Sequence, residues 1–156
     1  MSSFVPRYSK EQLVQRFSPD DMPEEIIRRI ADLLDPDPAT FSSKTRIILQ
    51  GEPGDAMFFI SEGHAEVTVT PFGVGSPFPP LSIAELGPGD VVGEMAVLSG
   101  EPRSATVTAI DDVVAYRLSR DNWIHIEAFY PGVAAAIREV AAGRARALAG
   151  WDQTQE

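Results

Sequence analysis

Two kinds of hydrophobic periodicity divide the chain into three stretches. Residues 20–34, DDMPEEIIRRIADLL, place apolar side chains at helical spacing, and acidic residues and Pro23 fall in the first turn, where a helix start favours them. Residues 8–17 predict a second, shorter helix, and Pro36 and Pro38 separate both helices from the central stretch. The N-terminal stretch is therefore predicted to be helical.

The central stretch has the periodicity of strands. Short runs that are β-branched or alternate between apolar and polar residues lie at 47–49, 57–60, 65–70, 81–86, 105–109 and 113–118, separated by clusters of Gly, Pro, Asp and Ser. This pattern predicts an antiparallel roll or barrel. Residues 71–80, PFGVGSPFPP, contain too much Pro and Gly for a sheet, so they predict a long surface loop. Phe72 and Phe78 in this loop are candidates for an exposed contact.

Helical periodicity returns after Ser119, with a predicted break at Pro131 and Gly132. One stripe of the last helix carries Val133, Ile137, Val140, Arg144, Leu148 and Trp151. The fold class is therefore predicted to be mainly β with flanking helices (α+β), an antiparallel β-roll or jelly roll between N-terminal helices and a C-terminal lid helix. We expect one domain with one core, made of a helical segment 1–40, a roll 41–118 and C-terminal hinge and lid helices 119–156.

Composition narrows the function classes. A chain of 156 residues with 44% hydrophobic content suits one globular domain. The net charge of −10 argues against general affinity for nucleic acid or anionic membranes, so an anionic ligand has to be captured locally. There is no cysteine, and no apolar run has the length of a membrane span. We expect a cytoplasmic protein, or the cytoplasmic part of a membrane protein.

Catalytic patterns are absent from the sequence. His64 and His125 are isolated from other metal-ligating residues, and neither a Gly-x-Ser-x-Gly elbow nor a nucleotide-binding Gly-x-x-x-x-Gly-Lys loop occurs. We therefore predict no catalytic residue, no metal ligand and no cofactor. A metal-dependent β-roll enzyme remains the least favoured alternative.

The most informative motif is residues 93–107, GEMAVLSGEPRSATV. It combines the carboxylate of Glu94 with the cation of Arg103, nine residues later, and a short apolar helical turn lies between them. A helix that begins just after Gly93 would direct unpaired backbone N–H groups at an anion. Arg103 would add a planar, charged fork for phosphate oxygens. The motif therefore predicts a site for a phosphate and an adjoining sugar.

This stretch resembles the phosphate-binding cassette of the cyclic nucleotide-binding domain family, whose pattern is roughly Gly-Glu-(Leu/Met/Ile)-Ala-Leu, a few residues, then Pro-Arg-(Ala/Ser/Thr)-Ala-Thr-Val. Residues 48–69 and the turn LGPGD at 86–90 also resemble the family, so the similarity spans about 41–118. The sequence of this motif is most similar to that of bacterial cyclic nucleotide-gated channels. The resemblance implies a regulatory sensor whose ligand is cAMP or cGMP.

Roles for individual residues are implied by this resemblance. It implies that Glu94 accepts a hydrogen bond from the ribose 2′-hydroxyl and that Arg103 binds the phosphate with backbone amides of the Gly93–Ala96 turn. Ser104 leaves the choice of base open, because threonine at this position is associated with cGMP and alanine with cAMP. The whole predicted binding set is Val92, Gly93, Glu94, Met95, Ala96, Arg103, Ser104 and Ala105.

The resemblance also implies that the C-terminal helix closes over the base. The candidates for capping the purine are Arg144, Leu148 and Trp151. The controlled effector lies outside the chain, and an ion-channel pore domain or a separate partner protein would fit. The residues after Ser119 are too few to form both the lid and a DNA-reading module, and residues 131–156 carry three Arg against three acidic residues, so we do not expect a complete transcription factor. An interaction module of the same fold without nucleotide binding remains an alternative.

Overall fold

The computed structural model of the protein describes the backbone of residues 7–154 and the side chains of residues 7–148. Two helices come first, α1 (Lys10–Gln15) and α2 (Glu24–Ala31). The strands are β1 (Ala39–Phe41), β2 (Arg46–Ile48), β3 (Ala56–Glu62), β4 (Ala65–Val69), β5 (Leu81–Leu86), β6 (Val91–Val92), β7 (Thr106–Ala109) and β8 (Val113–Ser119). Helix α3 (Glu94–Ser99) lies between β6 and β7, and α4 (Arg120–Phe129) and α5 (Pro131–Thr154) come after β8.

The strands form two four-stranded sheets in the orders β1-β8-β3-β6 and β2-β7-β4-β5, with antiparallel pairing between neighbours. The predicted antiparallel β-roll with flanking helices is confirmed. Strands β1 and β6 were not predicted, because runs of three and two residues are too short to establish a period. Strand β6 is nevertheless important, since it leads directly into α3.

The helix ends have local causes. Ser9 caps α1 through a capping box with Gln12. The helix expected over 20–34 is confined to Glu24–Ala31, because Pro23 is extended at its N-cap and the chain continues in turns after Ala31. The predicted break near Pro131 falls one residue earlier, at Tyr130, and Pro131 opens α5. A first helical position suits proline, since its missing N–H has no partner there in any case.

The expectation of a single hydrophobic core is wrong, because buried residues form two clusters. One cluster packs the helices onto the sheet and includes Met57 and Phe59 of β3. The other fills the roll and includes Ile60 of the same strand, with Phe58 packed against it. Strand β3 is apolar at successive positions, so it supplies both clusters from its two faces.

Helix α5 joins the helical cluster to the open side of the roll. Val133, Ala134 and Ile137 are buried in the helical cluster, and Val140 packs against it. Beyond these positions the helix reaches the roll, where Arg144 contacts residues of β6 and α3. Among the described residues, no helix combines the length and apolar character needed to cross a bilayer.

Candidate ligand-binding site

A cavity of about 400 Å³ opens between the β2-β7-β4-β5 sheet, α3 and the far part of α5. This volume lies within the range of small-molecule sites. All eight residues of the predicted binding set line it, together with Arg144 and Leu148 of the predicted cap. The lining also includes side chains that sequence reasoning missed, namely Ile48, Val67, Ser82, Ile83, Ala84, Leu86, Val107 and Ala147.

Gly93 places the start of α3 at the cavity. The helix begins directly after Gly93, as predicted, and Gly93 has a left-handed backbone with φ of 79°. A Cβ atom there would lie 2.5 Å from Nη1 of Arg103 and 2.7 Å from Cδ1 of Ile48. Glycine is therefore required both by the backbone conformation and by the close approach of Arg103.

Arg103 is held in place by main-chain oxygens. Its Nη1 donates to the carbonyl of Gly93 and its Nη2 to the carbonyl of Ala56, each at 2.7 Å. Its backbone is paired with the loop before β3. The N–H of Arg103 donates to the carbonyl of Glu52 at 2.8 Å, and the carbonyl of Arg103 accepts from the N–H of Gly51 at 2.9 Å. A guanidinium has five N–H donors, so these two side-chain bonds leave donors for an anion in the cavity.

The loop before β3 shapes this position in a way the sequence did not reveal. A Cβ on Gly54 would lie 2.6 Å from Cβ of Ala96 and from Cζ of Arg103, so only glycine leaves room for the guanidinium. Burial lowers the pKa of Arg103, and the charges of Asp55 and Glu94 partly offset that effect. This loop lies within the residues that resemble the cyclic nucleotide-binding domain family, but no local sequence pattern connects Gly54 or Asp55 with Arg103.

Glu94 is a buried carboxylate with one oxygen satisfied and one free. Only 2% of its side chain is exposed. Its Oε1 accepts a hydrogen bond from Nη1 of Arg144, whereas Oε2 is buried and has no hydrogen-bond partner among the described residues. Burial raises the pKa of Glu94; Arg144 is the largest opposing influence, followed by its own backbone N–H and Arg103.

Arg144 reaches this carboxylate from α5. Its Nη1 also donates to the carbonyl of Val91 at 2.6 Å, and 28% of its side chain is exposed. Sequence reasoning placed Arg144 at the base and did not foresee its ion pair with Glu94. The two residues lie 50 positions apart, so no local pattern could have indicated the contact.

The remaining candidates lie partly in the cavity and partly away from it. Ser104 lines the cavity, and its hydroxyl lies 3.9 Å from Sδ of Met95. Leu148 lines the cavity from α5, whereas the side chain of Trp151 lies outside the described residues. Phe72 and Phe78 are exposed, as expected, with their ring centroids 5.4 Å apart, and neither lines the cavity.

The two histidines have ordinary neighbours. Nδ1 of His64 lies 2.9 Å from Oδ2 of Asp111, and the ring of His125 lies 4.7 Å from the ring of Phe129. Within the part of the chain that the structure describes, no group of three potential metal ligands occurs. The charged residues that line the cavity are Glu94, Arg103 and Arg144.

The comparison with protein families decides which family the chain belongs to. The model described as "Cyclic nucleotide-binding domain" matches residues 38–127, more than half of the chain. The chain belongs to the cyclic nucleotide-binding domain family. Domains of this family are regulatory modules rather than enzymes.

Similar proteins agree with this assignment. A cyclic nucleotide-gated potassium channel of Mesorhizobium japonicum is 41% identical over 99 residues, covering 64% of this chain and 25% of the channel. A cyclic nucleotide-gated potassium channel of Rhizobium etli is 37% identical over 120 residues, covering 77% of this chain and 29% of the channel. The chain thus spans about a quarter of the length of the curated relatives it matches.

A solved structure shows the same architecture. The regulatory domain of Toxoplasma gondii PKA, crystallised with cAMP, matches with a TM-score of 0.70 and 25% sequence identity. The match covers 86% of this chain and 49% of that one.

Proposed function

We propose that the cavity binds a cyclic nucleotide, cAMP or cGMP, and that α5 responds to its presence. One observation carries the proposal. Glu94, whose buried Oε2 has no hydrogen-bond partner among the described residues, and Arg103, which has further N–H donors, line the same cavity of about 400 Å³. A ligand that carries a hydroxyl donor next to a phosphate anion complements both groups, and a ribose cyclic phosphate has this chemistry.

The phosphate would bind at Arg103. The guanidinium is already oriented by Gly93 and Ala56, so little side-chain entropy remains to be lost when an anion binds. Its remaining donors, with the amides at the start of α3, provide charge-assisted hydrogen bonds to phosphate oxygens. Because the protein carries a net charge of −10, this local cation is what makes capture of an anion favourable.

The ribose would bind at Glu94. Its 2′-hydroxyl can donate to Oε2, and a hydrogen bond to a buried charged acceptor contributes about 1.5–3 kcal/mol. A deoxyribose ligand would leave that oxygen without a donor. Selection of ribose over deoxyribose is therefore the expected signature of this site.

The base would lie between apolar walls and α5. Val67 and Leu86 of the sheet line the cavity, and Leu148 lines it from the helix. These side chains suit the faces of either purine, and the hydroxyl of Ser104 can hydrogen-bond to either ligand. Both cAMP and cGMP therefore belong to the proposed ligand class.

Coupling to α5 would result from the shared lining. Arg144, Ala147 and Leu148 line the cavity, so a bound ligand contacts the helix directly. A shift from mostly open to mostly closed requires about 5.5 kcal/mol of preference, against about 8 kcal/mol for micromolar binding. Much of the affinity would then depend on contacts with α5.

The regulated output would be that of a larger assembly. Similarity to two cyclic nucleotide-gated potassium channels supports a role as the cytoplasmic regulatory part of a channel. A receptor that acts through a separate partner protein would use the same ligand-dependent change in α5.

Calorimetric titration tests the ligand class. We expect cAMP or cGMP to bind at micromolar concentration, and 2′-deoxy-cAMP to bind at least about tenfold more weakly because Oε2 loses its donor. The matched control is 5′-AMP, which has the same base and sugar but an open phosphate monoester. An absence of heat for every cyclic nucleotide would contradict the proposal and favour a pure interaction module.

Hydrogen exchange tests the coupling. Binding of cAMP is expected to slow amide exchange in residues 141–154, because new ligand contacts stabilise that end of α5. Exchange in α2, which contributes no residue to the cavity lining, serves as the internal control. Binding that leaves 141–154 unchanged would separate ligand recognition from signalling.

A further inference from the structure

Arg144 and Glu94 form an ion pair in an unusual arrangement. The carboxylate is almost fully buried, and its partner comes from α5, 50 residues later in the chain. Glu94 lines the cavity; only one of its carboxylate oxygens is used by the pair, and the other is buried without a hydrogen-bond partner among the described residues. A buried carboxylate with a hydrogen bond to only one of its oxygens requires a nearby cation to stay ionised.

The surroundings of Glu94 offer few cations for that purpose. Of the two charged groups that lower the pKa of Glu94, Arg144 on α5 has a larger effect than Arg103 before β7. Arg103 is engaged by two main-chain carbonyls, and its charge is also shared with Asp55. The charge of Glu94 therefore depends mainly on the helix.

The hydrogen bond from Arg144 to Val91 fixes the geometry of this pair. Nη1 donates both to the Val91 carbonyl and to Oε1 of Glu94, so strand β6 anchors the guanidinium where it meets the carboxylate. Glu94 is thereby held with Oε1 toward the helix and Oε2 left over.

We propose that Arg144 is a positioning residue that keeps Glu94 ionised and presents its Oε2 to the ribose hydroxyl, so that α5 sets the sugar selectivity of the site. The inference rests on the proposed function for the identity of the hydroxyl. In the ionised state Oε2 is an acceptor only, which matches a hydroxyl donor. Without Arg144 the carboxyl group is protonated at higher pH and is no longer fixed, so it distinguishes ribose from deoxyribose poorly.

This role differs in a measurable way from direct contact with the base. If Arg144 served the base, Arg144→Ala would weaken cAMP and 2′-deoxy-cAMP by the same factor and leave their ratio unchanged. If Arg144 positions Glu94, the variant weakens cAMP more than the deoxy ligand. The ratio of the two dissociation constants is therefore the decisive quantity.

Calorimetry at neutral pH measures that ratio for the unaltered protein, Arg144→Ala and Arg144→Lys. We expect discrimination of at least about tenfold in the unaltered protein to fall by at least about fivefold in Arg144→Ala. Arg144→Lys, which keeps the charge, should recover part of it. Arg146→Ala is the matched control, since it removes an exposed arginine from the same helix and should leave the ratio unchanged.

A second readout needs no nucleotide. Carbon-13 NMR titration of the Glu94 carboxyl in the ligand-free protein is expected to give a higher pKa in Arg144→Ala than in the unaltered protein, with Arg144→Lys between them. An unchanged pKa, or an unchanged ribose-to-deoxyribose ratio in a protein that binds cAMP, would overturn the inference. If the unaltered protein binds no cyclic nucleotide, the proposed function fails. The NMR titration then decides separately whether Arg144 controls the charge of Glu94.

Discussion

Two arginines from different parts of the fold line the cavity, and they are held in different ways. Arg103, in the loop before β7, donates to the carbonyls of Gly93 and Ala56. Arg144, on α5, donates to one carbonyl and to the carboxylate of Glu94. A main-chain carbonyl does not titrate, whereas a carboxylate does. The Arg103 side is therefore fixed by the fold, and the α5 side depends on the state of one ionisable group.

This difference fits the tasks proposed for the two sides. A phosphate site benefits from donors that are oriented before the ligand arrives. A signalling element has to have two states of similar free energy, and its contacts have to differ between them. An ion pair that a ligand can reach is suited to the second task, and a guanidinium locked by backbone oxygens is suited to the first.

The largest expected effect comes from removing the fixed side. Arg103→Ala should lower the affinity for cyclic nucleotides at least about tenfold and destabilise the ligand-free protein by about 1–3 kcal/mol, since two carbonyls lose their donors. Calorimetry and urea unfolding measure the two quantities. Arg46→Ala, at an exposed position in β2, is the control and should change the binding free energy and the unfolding free energy by less than about 0.5 kcal/mol each. Unchanged affinity in Arg103→Ala would remove this residue from the phosphate site.

A pair of glycine variants tests how tightly the fixed side is built. Gly93 and Gly73 have φ of 79° and 89°, but a Cβ on Gly93 meets Arg103 and Ile48, whereas a Cβ on Gly73 meets nothing within 4 Å. Gly73→Ala should cost about 1 kcal/mol of unfolding free energy from backbone strain, and Gly93→Ala about 1–3 kcal/mol more from the displaced side chains. Urea unfolding measures both. Equal losses of unfolding free energy in the two variants would show that the side chain of Arg103 moves aside without a loss of stability.

The titratable side is tested by pH. Burial raises the pKa of Glu94 in the folded protein, so the folded state holds its proton through the interval above the ordinary glutamate value. This contribution to stability is fully present below the ordinary value and is lost as pH rises through the raised one. The unfolding free energy of the unaltered protein, relative to Glu94→Gln, should therefore fall across that interval by about 1.4 kcal/mol per pH unit.

Urea unfolding at a series of pH values measures this difference. Glu101→Gln provides the control, because Glu101 is exposed and its removal should give a difference that does not depend on pH. If the difference in unfolding free energy between the unaltered protein and Glu94→Gln did not change with pH, Arg144 would fully compensate the burial of the carboxylate.

The smallest effect is expected from the apolar part of α5. Leu148 is half-buried and lines the cavity, so Leu148→Ala should weaken cAMP about threefold to fivefold, with less than about 0.5 kcal/mol change in stability. The double variant with Arg103→Ala should show binding losses that add within about 0.5 kcal/mol if the two sides act independently. Calorimetry on the four proteins measures the coupling, and strong non-additivity would contradict the division into two sides.

Much of the fold could be predicted because its signals are local. The alternation in β4 and β8, the proline and acidic residues at the start of α2, and the glycine before α3 each act within a few residues. Strands β1 and β6 escaped because each is too short to show a period. The two faces of β3 were read as one core because an apolar run does not say what covers each side.

The sequence by itself determined the family, the antiparallel roll and the cassette from Gly93 to Arg103, since motif, spacing and periodicity are properties of neighbouring positions. Only the tertiary structure decided that Gly54 leaves room for the guanidinium of Arg103 and that Arg144 pairs with Glu94. These contacts join residues about 50 positions apart, so they exist only once the sheets and α5 have packed. Within the described part of the chain, the lack of a partner for Oε2 of Glu94 is likewise a property of that packing, because burial decides which polar atoms lack water and which partners can reach them.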